Sequence, residues 1–300
     1  MNTSQLRHIR TARLDVAYEE SGPRGGASVV LLHDWPYDPR CYDGVVPLLV
    51  AAECRVLVPY LRGFGPTRFL SAETPRSGQQ AALGHDLLEM MDVLAVERAI
   101  LAGYDWGGRA ACIVSALWPD RVRGLVTVNG YNIQDIAGSE EPQDPAQERR
   151  YWYQWYFHTE RGRAALELDR RAFCRLLWQL WSPNWNFDEA TFSRSATSFA
   201  NPDFVDVTIH SYRHRYGNAA GDPALAEIEK RLAAKPKIAV PTVALQGAAD
   251  GVLPAELSET HGAFFTGRIQ YRVLPKVGHN PAQETPTIFA EAVLELVSTA

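Results

Sequence analysis

Short apolar runs alternate along the chain with segments in which apolar residues recur every three or four positions. The runs predict strands of a buried, mostly parallel sheet, and the periodic segments, such as Gln79–Leu94 and Thr287–Leu296, predict helices that cover it. The predicted strands are Leu14–Tyr18, Ser28–Leu32, Arg55–Pro59, Ala99–Ala102, Gly124–Val128, Thr242–Gln246 and Gln270–Leu274. The alternation predicts an α/β fold with helices on both faces of the sheet.

This alternation stops between about residues 135 and 235. The polar, acidic stretch Ser139–Gln147 opens this part, helical segments rich in aromatic and arginine residues follow, and strands resume near Lys237. We interpret residues 135–235 as a helical cap inserted into a core domain formed by residues 1–134 and 236–300.

Composition allows a large core and disfavours several kinds of partner. The 300 residues are 46% hydrophobic, and the net charge of -5 offers no basic surface for nucleic acid or an anionic membrane. No run approaches the ~18 apolar residues of a membrane helix, and the polar start, residues 1–7, lacks the apolar segment of a signal peptide. We expect a cytoplasmic monomer or homodimer without membrane insertion. Reduced thiols are expected at the widely spaced cysteines, which are Cys41, Cys54, Cys112 and Cys174.

The segment Gly103-Tyr-Asp-Trp-Gly-Gly108 joins a predicted strand to a predicted helix. The apolar run Arg98–Ala102 precedes it, and Arg109–Trp118 has helical character. Glycines on both sides of Asp105 allow a sharp turn that places the central side chain at the carboxyl edge of the sheet. In the alternative interpretation Asp105 only caps the helix. The turn alone does not decide between the two.

Three other loops carry residues suited to nucleophilic catalysis. His33-Asp-Trp-Pro36 follows a buried strand, where a tight loop can direct backbone N–H groups at a developing negative oxygen. Asp250 follows the strand Thr242–Gln246, and His279 follows the last strand. With Asp105, the order along the chain is nucleophile, acid, histidine, which is the order of the α/β-hydrolase triad.

On these residues the chain resembles the α/β-hydrolases, and within them the epoxide hydrolase and haloalkane dehalogenase branch, which uses an aspartate nucleophile. The resemblance extends from the strand before His33 to the helix after His279. His33-Asp-Trp-Pro36 is similar to the family's His-Gly-x-Pro loop, in which the x–Pro bond is cis. Arg62-Gly-Phe-Gly65 resembles another loop of these enzymes. The resemblance implies an α/β-hydrolase core with a helical cap.

An aspartate nucleophile determines which chemistry follows. A carboxylate that attacks a saturated carbon forms an alkyl ester, which water activated by His279 and oriented by Asp250 then hydrolyses. Because the oxyanion forms on Asp105, the resemblance assigns the backbone N–H groups of Trp35 and Trp106 to the oxyanion hole. The expected substrate is a small molecule with an electrophilic sp³ carbon, and no metal or organic cofactor is required.

For some of these residues the sequence leaves more than one role open. Asp135 is a second candidate for the acid, because some dehalogenases place theirs after the corresponding strand, although Asp250 is favoured. His33 and Pro36 are expected to support the oxyanion loop. Asp34 replaces the family's usual glycine, and its side chain either changes the electrostatics of the site or points to solvent.

Two tyrosines of the predicted cap favour an epoxide as the substrate. Tyr153, followed by Gln154, and Tyr212 lie in segments that resemble those carrying the tyrosines with which epoxide hydrolases hydrogen-bond the epoxide oxygen. In the alternative interpretation, the two tyrosines only pack the aromatic face of the cap against the core. A halide needs only weak donors such as an indole N–H, and Trp106 is common to both groups. We therefore expect an epoxide hydrolase, with a haloalkane or haloacid dehalogenase and a non-catalytic ligand receptor as alternatives.

Overall fold

The computed structural model describes residues 5–299, except for the side chains of residues 258 and 259. Residues 1–4, which form part of the segment inspected for a signal peptide, lie outside the described range. Within that range the strands are β1 (Gln5–Arg10), β2 (Leu14–Ser21), β3 (Ser28–Leu32), β4 (Arg55–Pro59), β5 (Arg68–Phe69), β6 (Ala99–Gly103), β7 (Val122–Val128), β8 (Thr242–Gly247) and β9 (Ile269–Leu274).

The strands form one mixed sheet in the order β1-β2-β4-β3-β6-β7-β8-β9, with β5 paired to β2. Every pairing from β4 to β9 is parallel, whereas β2 pairs antiparallel with β1, β4 and β5. The central strand β6 is buried at every position, as its uninterrupted apolar run predicts. The carboxyl ends of the parallel strands therefore lie at one edge of the sheet, where their loops meet.

Helices cover this sheet and fill the long connection between β7 and β8. The α-helices are α1 (Val46–Ala51), α2 (Gln80–Val93), α3 (Asp105–Leu117), α4 (Pro145–Arg150), α5 (Trp152–Tyr156), α6 (Glu160–Leu168), α7 (Arg170–Trp181), α8 (Glu189–Ala196), α9 (Phe204–His214), α10 (Ala226–Ala233), α11 (Ala255–Glu259), α12 (Pro281–Glu284) and α13 (Pro286–Thr299). Helix α2 packs on α3, and α1 packs on α13. Between β7 and β8 the structure places α4 to α10, and the division into core and cap domains stays a prediction.

The predicted α/β fold is confirmed, and each of the seven predicted strands is present. Two further strands, β1 and β5, were not predicted. Strand β1 lies at the edge of the sheet with exposed and half-buried positions, so its sequence lacks an apolar run, and β5 has only two residues. The four cysteines are buried and free. In the described part of the chain, no helix combines the length and apolarity needed to cross a bilayer.

Candidate active site

Asp105 lies in a tight turn between β6 and α3. Its φ is 37°, a left-handed conformation that is uncommon outside glycine. A Cβ atom on Gly107 would come within 2.0 Å of the carbonyl oxygen of Leu32, so a glycine is needed there. The N-cap of α3 is Tyr104, and Asp105 is the first residue of the helix rather than its cap. The carboxylate of Asp105 is thus free for other contacts, and 20% of its side chain is exposed.

His279 lies beyond β9 and contacts two of the predicted acidic partners. Its Nδ1 is 2.9 Å from Asp250 Oδ2, and its Nε2 is 3.6 Å from Asp105 Oδ2. Asp250 also accepts hydrogen bonds from the Asn129 side chain, at 2.8 Å, and from the backbone of Val252, at 2.6 Å. These bonds fix the Asp250 carboxylate while it orients the imidazole.

The alternative acid, Asp135, does not reach His279. It is exposed and forms an ion pair with Lys235. The structure therefore brings Asp105, Asp250 and His279 together, in the arrangement of a nucleophile, a base and its orienting acid.

Arg109 is a contact of Asp105 that the sequence reasoning missed. Its Nη2 is 3.1 Å from Asp105 Oδ1, and the arginine is 5% exposed. Burial alone would raise the pKa of Asp105, but Arg109 and His279 together lower it below its usual value. The spacing of four residues on one helix was the available signal for this pair. Asp105 is therefore a carboxylate at neutral pH, the form that a nucleophile requires.

The loop after β3 holds the predicted supporting residues. The Trp35–Pro36 peptide bond is cis, as the resemblance implied. His33 is buried, its Nδ1 donates to the Asp34 carbonyl at 2.9 Å, and its Nε2 accepts from the Leu61 backbone at 3.0 Å. Burial lowers the pKa of His33 to about 4, so the ring is neutral and both nitrogens are engaged. His33 thus ties the loop to the chain after β4 and lacks a free nitrogen for catalysis.

Asp34 turns inward, toward the two N–H groups expected to form the oxyanion hole. Its Oδ1 accepts from the backbone N–H of Trp35 at 2.5 Å and from that of Trp106 at 3.2 Å. Its Oδ2 is 3.4 Å from His279 Nε2, and the side chain is 1% exposed. The sequence left two options for Asp34, and the structure excludes the one in which its side chain points to solvent. The two amides converge on one point, and the Asp34 carboxylate occupies that point.

His279 is consequently surrounded by carboxylates. Burial would lower its pKa, but Asp250, Asp105 and Asp34 raise it well above the ordinary value. For Asp34, burial and the nearby Asp105 charge raise the pKa to about 7. Oxygen and nitrogen atoms of Asp34, Asp105 and His279 lie within 4.8 Å of one another, which by ligand type is compatible with a divalent cation. The absence of a metal from the chemistry stays an expectation from the resemblance.

The two predicted donor tyrosines lie side by side above the oxyanion loop. Tyr153 is on α5 and Tyr212 is on α9, with ring centroids 5.4 Å apart. Both rings pack against Trp35, with ring centroids 6.1 Å away for Tyr153 and 5.3 Å away for Tyr212, and both tyrosines are nearly fully buried. The Tyr153 hydroxyl accepts a hydrogen bond from Gln154 Nε2 at 3.0 Å, which leaves its own proton free to donate. Burial raises the pKa of both hydroxyls well above 10, so both are protonated.

A cavity of about 710 Å³ reaches Asp105 and His279. This volume suits a small organic molecule. Arg109, Gln154 and Arg215 also line it. Its wall further includes exposed acidic side chains, which are Asp135, Glu140 and Glu141. The cavity gives a ligand access to Asp105, whereas Asp34 stays buried behind it.

Known proteins resemble the chain over most of its length. The profile of the alpha/beta hydrolase fold family matches residues 27–285. A crystal structure from Klebsiella pneumoniae subsp. pneumoniae MGH 78578, provisionally named an epoxide hydrolase, superposes with a TM-score of 0.96. It is 47% identical, and the match covers 98% of this chain and 97% of that one.

Curated relatives match shorter parts. Epoxide hydrolase B of Mycobacterium tuberculosis is 28% identical over 170 residues, which are 53% of this chain and 47% of the relative. Haloalkane dehalogenase of Mycobacterium marinum is 32% identical over 123 residues, which are 40% of each chain. The chain thus spans less than half the length of these two relatives. With a family profile that matches most of its residues, the chain belongs to the α/β-hydrolase fold family.

Proposed function

We propose that the protein is an epoxide hydrolase that converts an epoxide to a vicinal diol through a covalent ester on Asp105. The observation that carries this proposal is the position of His279 between Asp250 and Asp105, with Asp105 and His279 both at the wall of one cavity. The similar proteins named above include an epoxide hydrolase and one provisionally so named, which supports the same reaction class.

In the first step Asp105 attacks a ring carbon of the epoxide. A C–O bond forms between the carboxylate and that carbon while the ring C–O bond breaks. The ring oxygen takes the electron pair and receives a proton from Tyr153 or Tyr212. Both tyrosines are protonated at neutral pH, and the Asp105 carboxylate is ionised. Both tyrosines are nearly fully buried beside Trp35, so the proposed step requires that the bound substrate reach their hydroxyls there.

In the second step water hydrolyses the ester. His279 takes a proton from the water as its oxygen attacks the carbonyl carbon of the Asp105 ester, and the imidazolium is held by Asp250. The tetrahedral intermediate collapses, and the alkyl oxygen leaves with a proton from His279, which forms the carboxylic acid of Asp105. That acid then loses its proton to restore the carboxylate, and the tyrosinate left by the first step gains a proton, so both groups return to their starting forms. The N–H groups of Trp35 and Trp106 are the proposed stabilisers of the oxyanion.

Dehalogenation is the second candidate, because it uses the same nucleophile and because a haloalkane dehalogenase is among the relatives. The hydroxyl of Tyr153, which receives a hydrogen bond from Gln154 and can donate its own, favours the epoxide. An alkoxide leaving group needs a strong donor, whereas a halide does not.

The deciding experiment compares products. The purified protein is incubated with styrene oxide and, separately, with chloro- and bromoalkanes, and diol and halide are quantified. Diol formation is the expected result, and halide release without diol would reject the proposal in favour of dehalogenation.

A trapping experiment separates catalysis from mere binding. His279→Gln is incubated with each substrate, and the Asp105 peptide is examined by mass spectrometry for the added mass of the substrate. An ester on Asp105 is expected. Absence of both adduct and turnover with every epoxide and halide would favour the ligand receptor.

A further inference from the structure

A carboxylate occupies the position at which the proposed mechanism requires an oxyanion. Asp34 Oδ1 accepts from both amides, those of Trp35 and Trp106, at 2.5 and 3.2 Å. Its other oxygen is buried, has no hydrogen-bond partner among the described residues, and lies 3.4 Å from His279 Nε2. This geometry is that of a carboxylate bound in the hole by one oxygen, with its other oxygen facing the base.

The two half-reactions differ in their need for this hole. When Asp105 attacks an epoxide, negative charge leaves the enzyme carboxylate and develops on the ring oxygen. When water attacks the ester, the charge develops on the carbonyl oxygen of Asp105, and stabilisation by N–H donors is required. An occupied hole therefore leaves the first step unaffected and hinders the second.

We infer that Asp34 is a positioning residue that holds the oxyanion hole closed, so that the ester on Asp105 accumulates until the Asp34 side chain leaves the two amides. The inference rests on the proposed function, because it concerns the ester of that mechanism. Asp34 then controls the rate at which the ester is hydrolysed, and Asp105 carries out the covalent chemistry.

Access explains why Asp34 itself is not the nucleophile. Both carboxylates face His279 Nε2, at 3.4 Å for Asp34 and 3.6 Å for Asp105. Of these two residues, only Asp105 lines the cavity. Its side chain is 20% exposed, whereas that of Asp34 is 1% exposed. A substrate carbon in the cavity therefore meets Asp105 first.

Two substitutions at position 34 separate occupancy from charge. Asp34→Gly empties the hole and restores the residue that the family usually has, whereas Asp34→Asn keeps an oxygen acceptor of the same size without the negative charge. Each variant is mixed with excess styrene oxide, quenched at a series of times, and the fraction of protein carrying the ester is measured by mass spectrometry.

We expect the wild-type protein to accumulate ester in the steady state. Since one oxyanion-hole donor contributes about 10²–10³-fold to rate, Asp34→Gly should hydrolyse the ester at least about 10-fold faster and carry little of it. The rate of ester formation should be unchanged, and Asp34→Asn should lie between the two. Unchanged or slower ester hydrolysis in Asp34→Gly would overturn the inference, as would an adduct on Asp34.

Asp38 provides a matched control in the same loop. It is also buried, and burial raises its pKa to about 7, but its carboxylate accepts from Ser198 Oγ at 2.7 Å and from the Arg40 backbone at 3.1 Å. Asp38→Asn should leave both half-reactions at wild-type rates if folded. A selective acceleration of one step cannot arise from general loosening of the structure, so the ratio of the two rates remains informative even when a variant loses thermal stability.

Failure of the inference differs from failure of the proposed function. If no ester forms on Asp105 in the wild type, in Asp34→Gly or in His279→Gln, the epoxide mechanism itself fails. If the ester forms in all three and Asp34→Gly hydrolyses it no faster than wild type, only the role of Asp34 fails.

Discussion

Two loops at the same edge of the sheet each present an aspartate to His279, and they do so in opposite ways. The turn after β6 exposes Asp105 to the cavity and pairs it with Arg109. The loop after β3 buries Asp34 and satisfies one of its oxygens with two backbone amides. Two carboxylates at nearly the same distance from one imidazole therefore differ in access and in partners, and their proposed roles follow from those differences.

Removal of Asp105 tests this difference most severely. In Asp105→Ala the only carboxylate left facing His279 Nε2 among the described residues is Asp34, which the cavity does not reach. Diol formation should fall by at least about 10⁴-fold, the order seen when a catalytic nucleophile is deleted. The measurement is steady-state diol formation, with Asp120→Ala, at an exposed position after α3, as the control that should retain wild-type activity. Substantial residual activity with an adduct on Asp34 would contradict the assignment.

Removal of the shared base gives the next largest effect. His279→Gln should still form the ester, since attack by Asp105 needs no proton transfer from the imidazole. Hydrolysis of that ester should slow by about 10²–10⁴-fold, the usual contribution of a general base. Rapid-quench mass spectrometry follows both steps. Equal loss of formation and hydrolysis would mean that His279 acts before the ester exists.

In the proposed mechanism the two tyrosines act only on the first half-reaction. Tyr153→Phe combined with Tyr212→Phe should reduce epoxide opening by about 10²-fold, because the ring oxygen then lacks its proton donors. Any halide release should change much less. Trp152→Phe, at a half-buried neighbour in the same aromatic cluster, is the packing control. A similar loss in the control would indicate that the tyrosines only hold α5 against α9.

The pH dependence provides the finest test of the two loops. His279 must be neutral to accept a proton from water, and its pKa is raised by Asp250, Asp105 and Asp34. Ester hydrolysis should therefore increase as pH rises through that raised pKa, by up to about 10-fold per unit below it. Ester formation should stay flat, because the pKa of Asp105 is lowered and its carboxylate remains ionised.

Asp34→Gly should shift that pH profile in a defined direction. Removal of one carboxylate beside His279 lowers the imidazole pKa, so the rising limb should move to lower pH. Glu284 and Asp250 also lie close to the imidazole and remain in the variant. The readout is the pH profile of ester decay in single-turnover experiments. The absence of a shift would show that Asp34 carries no charge in the active form, and a shift to higher pH would contradict its effect on the His279 pKa.

The sequence predicts the strands at the centre of the sheet and the loops that follow them, because a strand buried on both faces must be an apolar run and because tight turns require glycine. It also identifies Asp105, Asp250 and His279 as a group, since the carboxyl ends of parallel strands meet at one edge. The edge strand β1 escapes this reasoning, because its positions are all exposed or half-buried and its sequence therefore lacks an apolar run.

The sequence does not reveal where Asp34 points. The two side-chain torsion angles of Asp34 determine whether its carboxylate points to solvent or into the oxyanion hole. Neither the residue type nor its spacing from other residues determines those angles. The sequence also leaves open whether Tyr153 and Tyr212 pack on the core, because their burial depends on how α5 and α9 pack on Trp35 across more than a hundred residues of chain. The sequence thus leaves open how side chains are oriented where α5 and α9 pack on the loop after β3.

The close approach of Gly107 to Leu32 has a consequence for protein engineering. With only 2.0 Å between a hypothetical Cβ and the Leu32 carbonyl oxygen, the turn after β6 and the loop after β3 are in direct backbone contact. Grafting either segment from a relative would change the position of the other. The two segments are therefore one exchangeable unit, and libraries designed to alter substrate range should transfer or vary them as a pair.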